Sequence, residues 1–415
     1  MLYFQCHSTV IYYSMKSMEA IENESKNALK KLKIAIVHDF LVQYGGAERV
    51  LEAISEMFPE APIYTLLYDK EKVINSFGNK EIRTSYLQKF PKFLRKRYQW
   101  FLPLFMIVPE TFDLRDFDLV ISSTGAWSKG IITRLNTVHI SYLHSPMRFV
   151  WDYSGKYFSE NTKHKFQITK FFLRLLLSYM RMWDKLASER PNYLIANSKY
   201  TQERIQKYYR RDSVVIYPPA FDESRIINYR LSNSSRENEG KYFLIVSRLS
   251  PYKKVDLAVE AFNKLGIPLV VIGEGKQKKY LKRIAKKNIK IIGWIDDEEL
   301  GGYYGNARAF VFPADDDFGM TMVEAMSHGV PIIAYKKGGA LEIVQEGKTG
   351  EFFSAQTPEV LADGVRRFIA KEGSYKKEDI INRAKEFSKE RFKRELEEFI
   401  NSKLPISNVK SNPND

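Results

Sequence analysis

Two glycines separate an apolar run from an amphipathic segment near the start of the chain. Residues 33–38 form the apolar run, Gly45 and Gly46 follow, and residues 47–57 have helical spacing. Glycine lets an anion approach the backbone closely, and a helix N-terminus offers free N–H groups and a positive dipole end. The spacing fits a phosphate-binding turn and an ordinary strand-to-helix turn equally well. The residues match neither G-x-G-x-x-G nor a P-loop.

A second candidate anion site follows the apolar run at residues 243–246. Arg248 and Lys253 lie five positions apart directly after it. Arginine makes forked contacts to phosphate and lysine acts as a point charge, so the pair could clamp a diphosphate. A solvated basic loop is the alternative interpretation.

An acidic loop forms the third candidate, between an apolar run at residues 309–312 and a helix starting near Thr321. Its carboxylates could accept hydrogen bonds from sugar hydroxyls, and Glu324 could bind a ribose. Two alternatives are an acidic turn that complements the helix dipole and an Asp-x-Asp motif that holds a metal–phosphate unit. The donor-binding candidates here are Asp316, Phe318, Gly319, Met320, Thr321 and Glu324.

His144 follows another apolar run, residues 138–142, rather than lying on an apolar helix face. At the carboxyl end of a strand, it can serve as a hydrogen-bond partner near a reacting sugar. A structural histidine bonded to backbone is the alternative.

The elements that must position these residues are short apolar strands alternating with helices. This alternation predicts an α/β fold with two doubly wound, Rossmann-like domains facing a ligand-binding cleft. A polar stretch between the two series predicts a linker. The division is an extension at 1–30 that is disordered or tag-derived, a first domain at 31–230, a linker at 231–240, a second domain with its C-terminal helix at 241–400, and a polar tail at 401–415.

Composition narrows the class of protein. The chain has 415 residues, 44% of them hydrophobic, one cysteine and a net charge of +15. Two or three globular domains fit this length, and a disulfide scaffold or a collagen-like fibre does not. No apolar run reaches the roughly 20 residues of a transmembrane helix. The charge admits nucleic acid, an anionic membrane or an anionic substrate, but no nucleic-acid-binding module is apparent.

Taken together, the motifs resemble those of the GT-B glycosyltransferases of glycosyltransferase family 4, especially mannosyltransferases of O-antigen and related surface glycans. The resemblance spans roughly residues 31–400. The matching motifs are VHDF (37–40), GGAE (45–48), HSPMRFVWD (144–152), IANS (195–198), VIYPP (215–219), SRLSPYKKVD (247–256), FPADDDFG (312–319), EA (324–325) and GGALE (338–342).

This resemblance implies a nucleotide-sugar donor, retention at the anomeric carbon, and no required metal or cofactor. It places Gly45 and Gly46 under the diphosphate, His144 near the donor sugar, Arg248 and Lys253 on the diphosphate, and Glu324 on the ribose. Asp316 stands where the family has a glutamate, one methylene longer, so the chain departs from the pattern at the donor sugar.

The expected function is that of a retaining hexosyltransferase, a mannosyltransferase using GDP-mannose to extend a glycan or lipid-linked acceptor of the cell surface. A catalytically weakened glycan- or nucleotide-sugar-binding scaffold is the alternative. The expected location is cytoplasmic, peripheral to the inner face of the cell membrane. The basic and aromatic residues 88–100 predict contact with an anionic membrane, or else a solvated helix packed on the first domain.

Overall fold

The computed structural model describes residues 31–95, 97, 101–152, 167–222 and 242–404. These residues form two domains, each built on one parallel sheet with helices on its faces. The predicted linker and the predicted N-terminal extension lie outside the described residues.

The first domain contains seven parallel strands in the order β3-β2-β1-β4-β5-β6-β7. Strand β1 pairs with both β2 and β4, so the strand order reverses beside it. The strands are β1 Ile34–Leu41, β2 Ile63–Tyr68, β3 Ile82–Thr84, β4 Leu119–Thr124, β5 Val138–Leu143, β6 Tyr193–Ala196 and β7 Val214–Val215. The helices are α1 Gly46–Met57, α2 Lys70–Phe77, α3 Lys92–Arg95, α4 Arg148–Trp151, α5 Gln167–Ala187 and α6 Lys199–Tyr209.

The second domain contains six parallel strands in the order β10-β9-β8-β11-β12-β13, with the reversal beside β8. The strands are β8 Tyr242–Val246, β9 Leu269–Ile272, β10 Ile289–Ile292, β11 Ala307–Phe312, β12 Ile332–Tyr335 and β13 Gly350–Phe353. The remaining helices are α7 Val255–Leu265, α8 Lys278–Ile284, α9 Asp297–Gly305, α10 Met320–Ser327, α11 Ala340–Ile343, α12 Pro358–Lys371, α13 Lys377–Lys385 and α14 Lys389–Lys403.

The central strands are apolar because helices cover both faces of each sheet. All six residues of β4 are buried, and so are seven of the eight residues of β1. Strands buried on both faces read as continuous apolar runs rather than as alternating ones. The carboxyl ends of β1, β4 and β5 therefore present their following loops together at one edge of the sheet.

The predicted helix near residues 376–399 is two helices, α13 and α14, separated at 386–388. The side chain of Ser388 caps α14 by accepting a hydrogen bond from the N–H of Arg391 at 3.2 Å. Helix α14 packs on the first domain, where Phe392, Leu396 and Ile400 join the apolar cluster of β1, β4 and β5. It continues to Lys403, beyond the start of the predicted tail.

The two-domain α/β fold is confirmed, and its strand topology is that of two doubly wound sheets. Strands β2, β3 and β13 have no counterpart among the predicted strands. Among the described residues, no helix is both long and apolar enough to cross a membrane.

Candidate active site

Two helix N-termini face each other across the cleft between the domains. Gly45 is the N-cap of α1, Gly46 is its first residue, and Gly319 is the N-cap of α10. A Cβ atom added to Gly46 would lie 3.0 Å from the sulfur of Met320, the first residue of α10. The first turns of α1 and α10 are therefore in contact, and the N-terminus of each helix carries the positive end of its dipole, which favours an anion.

Arg248 and Lys253 lie at the carboxyl end of β8, as the sequence predicts. Lys253 ends a short 3₁₀ turn, and its ammonium group donates to the carboxylate of Asp316. Arg248 is exposed, and no ion pair engages its guanidinium among the residues that the structure describes.

The β8 loop rests on two glycines that sequence reasoning missed. Added Cβ atoms at Gly273 and Gly275 would lie 2.0 Å and 2.2 Å from the carbonyl oxygens of Ser247 and Leu249. Both glycines have positive φ, at 141° and 158°. Glycine adopts such backbone angles without steric cost, and the G-x-G spacing after β9 was a usable signal for this contact.

The acidic loop after β11 is neutralised by cations. Each carboxylate has its own partner: Asp315 lies 3.0 Å from Lys337, Asp316 binds Lys253, and Asp317 binds Arg204. The described residues contain no group of three or more His, Cys, Asp or Glu side chains placed to hold a metal ion.

Arg148 bridges the two domains, a role that sequence reasoning did not assign to it. Its guanidinium donates to the carbonyl oxygen of Asp315 at 2.9 Å and lies 3.6 Å from Asp316 and 3.4 Å from Asp317. Arg204 joins the same network by binding both Asp317 and Asp152. Burial raises the pKa of Asp317, although Arg204 and Arg148 act in the opposite direction.

Gly338 and Gly339 pack directly against the backbone of the acidic loop. An added Cβ at Gly338 would lie 2.4 Å from the carbonyl oxygen of Asp316, and one at Gly339 would lie 2.3 Å from that of Phe318. The N–H of Gly339 donates to the carbonyl oxygen of Asp316 at 3.0 Å. No larger residue leaves room for this backbone contact.

Of the other predicted donor-binding residues on this loop, Phe318 points into the protein. It is buried, and its ring packs at 5.8 Å from that of Tyr217 and at 5.4 Å from that of Phe387. Thr321 lies half-buried in the first turn of α10. In this arrangement Phe318 anchors the loop by packing.

His144 follows β5 directly and is held by Ser123 at the end of β4. The hydroxyl of Ser123 lies 2.8 Å from Nε2 of His144 and 3.2 Å from Nδ1 of His38. Burial, and then the neighbouring His38, lower the pKa of His144 to about 4. The imidazole is therefore neutral near pH 7 and suited to hydrogen bonding rather than to proton donation.

Asp39 orders the loop after β4. Its carboxylate accepts from the backbone N–H groups of Gly125, Ala126, Trp127 and Ser128 at 2.7–3.0 Å. Burial opposes its ionisation, but His38 and these donors outweigh that effect and keep the pKa of Asp39 below its ordinary value. Four converging N–H groups hold a carboxylate in its charged form.

Glu324 is engaged from both domains. It forms an ion pair with Arg49 of α1, and the hydroxyl of Tyr304 donates to it at 2.9 Å. A pocket open to solvent lies beside this pair and is lined by residues of α1, α9 and α10 together with Pro219, Ala220, Asp222, His328 and Lys389. It borders Glu324 but not Arg248 or Lys253, so the cations at β8 lie outside it.

Comparison with known proteins shows the family and the fold. Residues 44–225 match the model of Glycosyltransferase Family 4, and residues 230–387 match that of Glycosyl transferases group 1. The fold is similar to that of Anabaena HepE in complex with UDP and glucose, with a TM-score of 0.63, 19% identity, and coverage of 90% of this chain and 100% of that one. The chain belongs to the GT-B glycosyltransferases of this group.

Two curated relatives are similar over part of their length. An uncharacterized glycosyltransferase of Methanocaldococcus jannaschii is 29% identical over 50% of this chain and 58% of its own. The GDP-mannose-dependent alpha-(1-6)-phosphatidylinositol monomannoside mannosyltransferase of Mycobacterium tuberculosis is 27% identical over 41% of this chain and 51% of its own. The chain thus spans about half the length of the curated relatives that it matches.

Proposed function

We propose that the protein is a retaining hexosyltransferase that transfers mannose from GDP-mannose to a glycan or lipid-linked acceptor at the cytoplasmic face of the membrane. The observation that carries the proposal is the contact of two helix N-termini, at Gly46 and Met320, beside the acidic loop that Lys253 binds through Asp316. The similarity to a GDP-mannose-dependent mannosyltransferase supports the choice of donor.

Stabilising the departing diphosphate is the main electrostatic task of such a site. Negative charge grows on the leaving phosphate as the glycosidic bond breaks, so fixed donors aimed at it lower the barrier. Arg248, Lys253 and the backbone N–H groups at the start of α1 supply those donors. Lys253 exchanges Asp316 for phosphate when the donor binds, which frees the Asp316 carboxylate to accept a hydrogen bond from the sugar.

The proposed reaction proceeds on one face of the sugar. The bond between the anomeric carbon and the diphosphate oxygen breaks, the acceptor hydroxyl oxygen bonds to the same face, and the leaving phosphate takes the hydroxyl proton. No side chain becomes covalently attached. His144, neutral near pH 7, donates or accepts a hydrogen bond at the donor sugar and does not act as an acid.

The donor is tested with a panel of GDP- and UDP-linked hexoses, because HepE was solved with UDP. Each compound is assayed for hydrolysis and for protection against thermal unfolding. A ligand at 100 times its dissociation constant adds about 2.7 kcal/mol to the free energy of unfolding, so the true donor is readily detected. If only UDP-hexoses protect the protein against thermal unfolding, GDP-mannose is not the donor and a UDP-hexose takes its place in this proposal.

Retention is tested on the transferred product, whose anomeric configuration proton NMR reports. An inverted product would overturn the one-face reaction. Binding of a donor without hydrolysis or transfer to any acceptor would favour the second candidate, a nucleotide-sugar-binding scaffold, for which the shortened acid Asp316 is the specific observation.

A further inference from the structure

A row of polar side chains runs through the first domain from α1 to His144. It consists of Glu48, His38, Ser123 and His144 and is here called the polar relay. Oε1 of Glu48 lies 3.8 Å from Nε2 of His38, and the Ser123 hydroxyl lies 3.2 Å from Nδ1 of His38 and 2.8 Å from Nε2 of His144. Glu48, His38 and Ser123 are buried and His144 is half-buried, so the relay reaches solvent at His144.

The polar groups next to the relay are engaged elsewhere. Asp39 is occupied by the four N–H groups described above and by the hydroxyl of Thr124, which donates to it at 2.9 Å. The ring of Tyr142 lies 5.5 Å from that of His144, but its hydroxyl donates to the carbonyl oxygen of Ile216 at 2.9 Å. Within the described part of the chain, no side chain outside the relay hydrogen-bonds to the side chain of a member.

Glu48 sets the direction of the relay. The distance of 3.8 Å is too long for a direct hydrogen bond to His38, but the negative charge favours hydrogen on the nitrogen that faces it, Nε2. Glu48 is the third residue of α1, where the positive end of the helix dipole stabilises a carboxylate. The carboxylate therefore does not require a cation at His38.

The hydrogen positions of the other members follow from that of His38. A neutral His38 with its hydrogen on Nε2 accepts at Nδ1, so the Ser123 hydroxyl donates to it. The oxygen of Ser123 is then left to accept from Nε2 of His144. Since the neutral ring of His144 carries one hydrogen, its Nδ1 remains an acceptor. Among the described residues, no hydrogen bond engages this Nδ1.

We propose that Glu48, His38 and Ser123 are positioning residues that hold His144 in the tautomer with hydrogen on Nε2, so that its Nδ1 accepts a hydrogen bond from a hydroxyl of the donor sugar. The hydrogen bond made by one ring nitrogen of a histidine decides which nitrogen carries the proton. The contact with the sugar rests on the proposed function, whereas the tautomer does not.

A charged His38 would reverse the relay. An imidazolium has hydrogen on both nitrogens, so Nδ1 of His38 would donate to Ser123 and the hydroxyl of Ser123 would donate to Nε2 of His144. His144 would then present an N–H group rather than an acceptor. The two arrangements differ in the tautomer of His144, which makes the inference open to direct measurement.

The relay also begins beside the glycine turn of α1. A Cβ atom added to Gly45 would lie 3.3 Å from Oε2 of Glu48. The same set of side chains thus joins the turn proposed to hold the diphosphate to the histidine proposed to contact the sugar.

The experiment is nitrogen NMR of the full chain with labelled histidines, recorded near pH 7 without donor. The nitrogen shifts report which ring nitrogen carries hydrogen, and His144→Gln identifies the signals of His144. We expect hydrogen on Nε2 of His144 in the wild type, and a mixture of tautomers in Ser123→Ala and Glu48→Gln. The matched control is Ser122→Ala, which removes the neighbouring hydroxyl of β4, 2.8 Å from Nε2 of His139, and should leave His144 unchanged.

Hydrolysis of GDP-mannose measures what the relay contributes to the reaction. Ser123→Ala and Glu48→Gln should each lower kcat/KM about tenfold, because the acceptor at the sugar is no longer held in one tautomer. Ser122→Ala should keep the wild-type value.

Two results would overturn the inference. One is hydrogen on Nδ1 of His144 in the wild type, a measurement that requires no variant to fold. The other is a tautomer that both Ser123→Ala and Glu48→Gln leave unchanged. A wild type that hydrolyses no donor counts against the proposed function, and the NMR result then decides on the relay alone.

Discussion

Arg248 and Lys253 differ in what they contact before a donor binds. Lys253 is held by Asp316, whereas Arg248 lies exposed at the end of β8. Replacing either residue with alanine should lower turnover about 10²–10³-fold, because each removes a donor from the site where negative charge develops. Steady-state kinetics with saturating donor measures the loss.

Lys282→Ala is the matched control, since Lys282 is an exposed lysine of the second domain on α8. It should keep wild-type turnover, and all three variants should unfold near the wild-type temperature. Near-normal turnover of both site variants would disprove the diphosphate clamp.

Asp316 is the residue at which the sequence is expected to depart from the family pattern, which has a glutamate there. Its carboxylate lies between Lys253 and Arg148, so a longer side chain keeps the same charge partners and gains reach toward the sugar. Asp316→Glu should preserve or raise kcat, and Asp316→Ala should reduce it. Activity that survives Asp316→Ala but not Asp316→Glu would remove this residue from the donor site.

At the level of elements, the acidic loop keeps its position because Gly339 lies against its backbone. Gly339→Ala should displace the loop, since the new methyl group would lie 2.3 Å from the carbonyl oxygen of Phe318. Overpacking of this kind costs about 1–3 kcal/mol of stability. Denaturant unfolding measures that cost, and we expect turnover to fall at the same time.

Gly373→Ala provides the comparison, because an added Cβ at Gly373 meets no atom within 4 Å. It should change neither stability nor turnover. Wild-type turnover of Gly339→Ala would show that the loop position does not matter for the reaction.

The strands and helices that the sequence predicts are those with long apolar runs or clear helical spacing. Strands β1, β4, β5 and β9 are buried on both faces, and their runs are unmistakable. Strand β13 escapes prediction because Gly350 and Glu351, two of its four residues, interrupt the apolar pattern. Its Glu351 is buried and satisfied by Arg367, Lys371 and Tyr375, contacts that no local pattern conveys.

For the molecule as a whole, the sequence predicts those site residues that lie on a single loop directly after a strand. Gly46 and His144 follow strands of the first sheet, and Arg248 and Lys253 follow a strand of the second. The topology brings such positions to the carboxyl edge of each sheet. Arg204 binds Asp317 across 113 residues of sequence. An ion pair between distant segments produces no periodic pattern in the sequence, so only the structure reveals it.

The stability of the whole molecule should depend on pH through its buried histidines. Burial lowers the pKa of His139 to about 3 and that of His144 to about 4, while both titrate near 6.5 when unfolded. The unfolded state therefore binds more protons below pH 6.5. Stability should be fully present above that pH and should decline as the pH falls toward 4.

As the pH falls through this window, each histidine lowers the free energy of unfolding by up to about 1.4 kcal/mol per pH unit. His139→Gln should unfold more easily at pH 7 but lose less stability between pH 6.5 and 5 than the wild type. Tyr280→Gln, on exposed α8, should keep the wild-type slope. Thermal unfolding across this range measures both, and equal slopes for His139→Gln and the wild type would exclude the histidine contribution.

The return of α14 to the first domain means that the polypeptide passes between the domains twice. Ile216 and Phe392 belong to the first apolar cluster, and Phe221 and Phe387 to the second. The two passages are joined, since Phe221 donates to the carbonyl oxygen of Phe387 and Lys389 donates to that of Phe221, both at 3.0 Å. Any rotation that opens the cleft must pivot about this double connection, which permits bending and resists twisting.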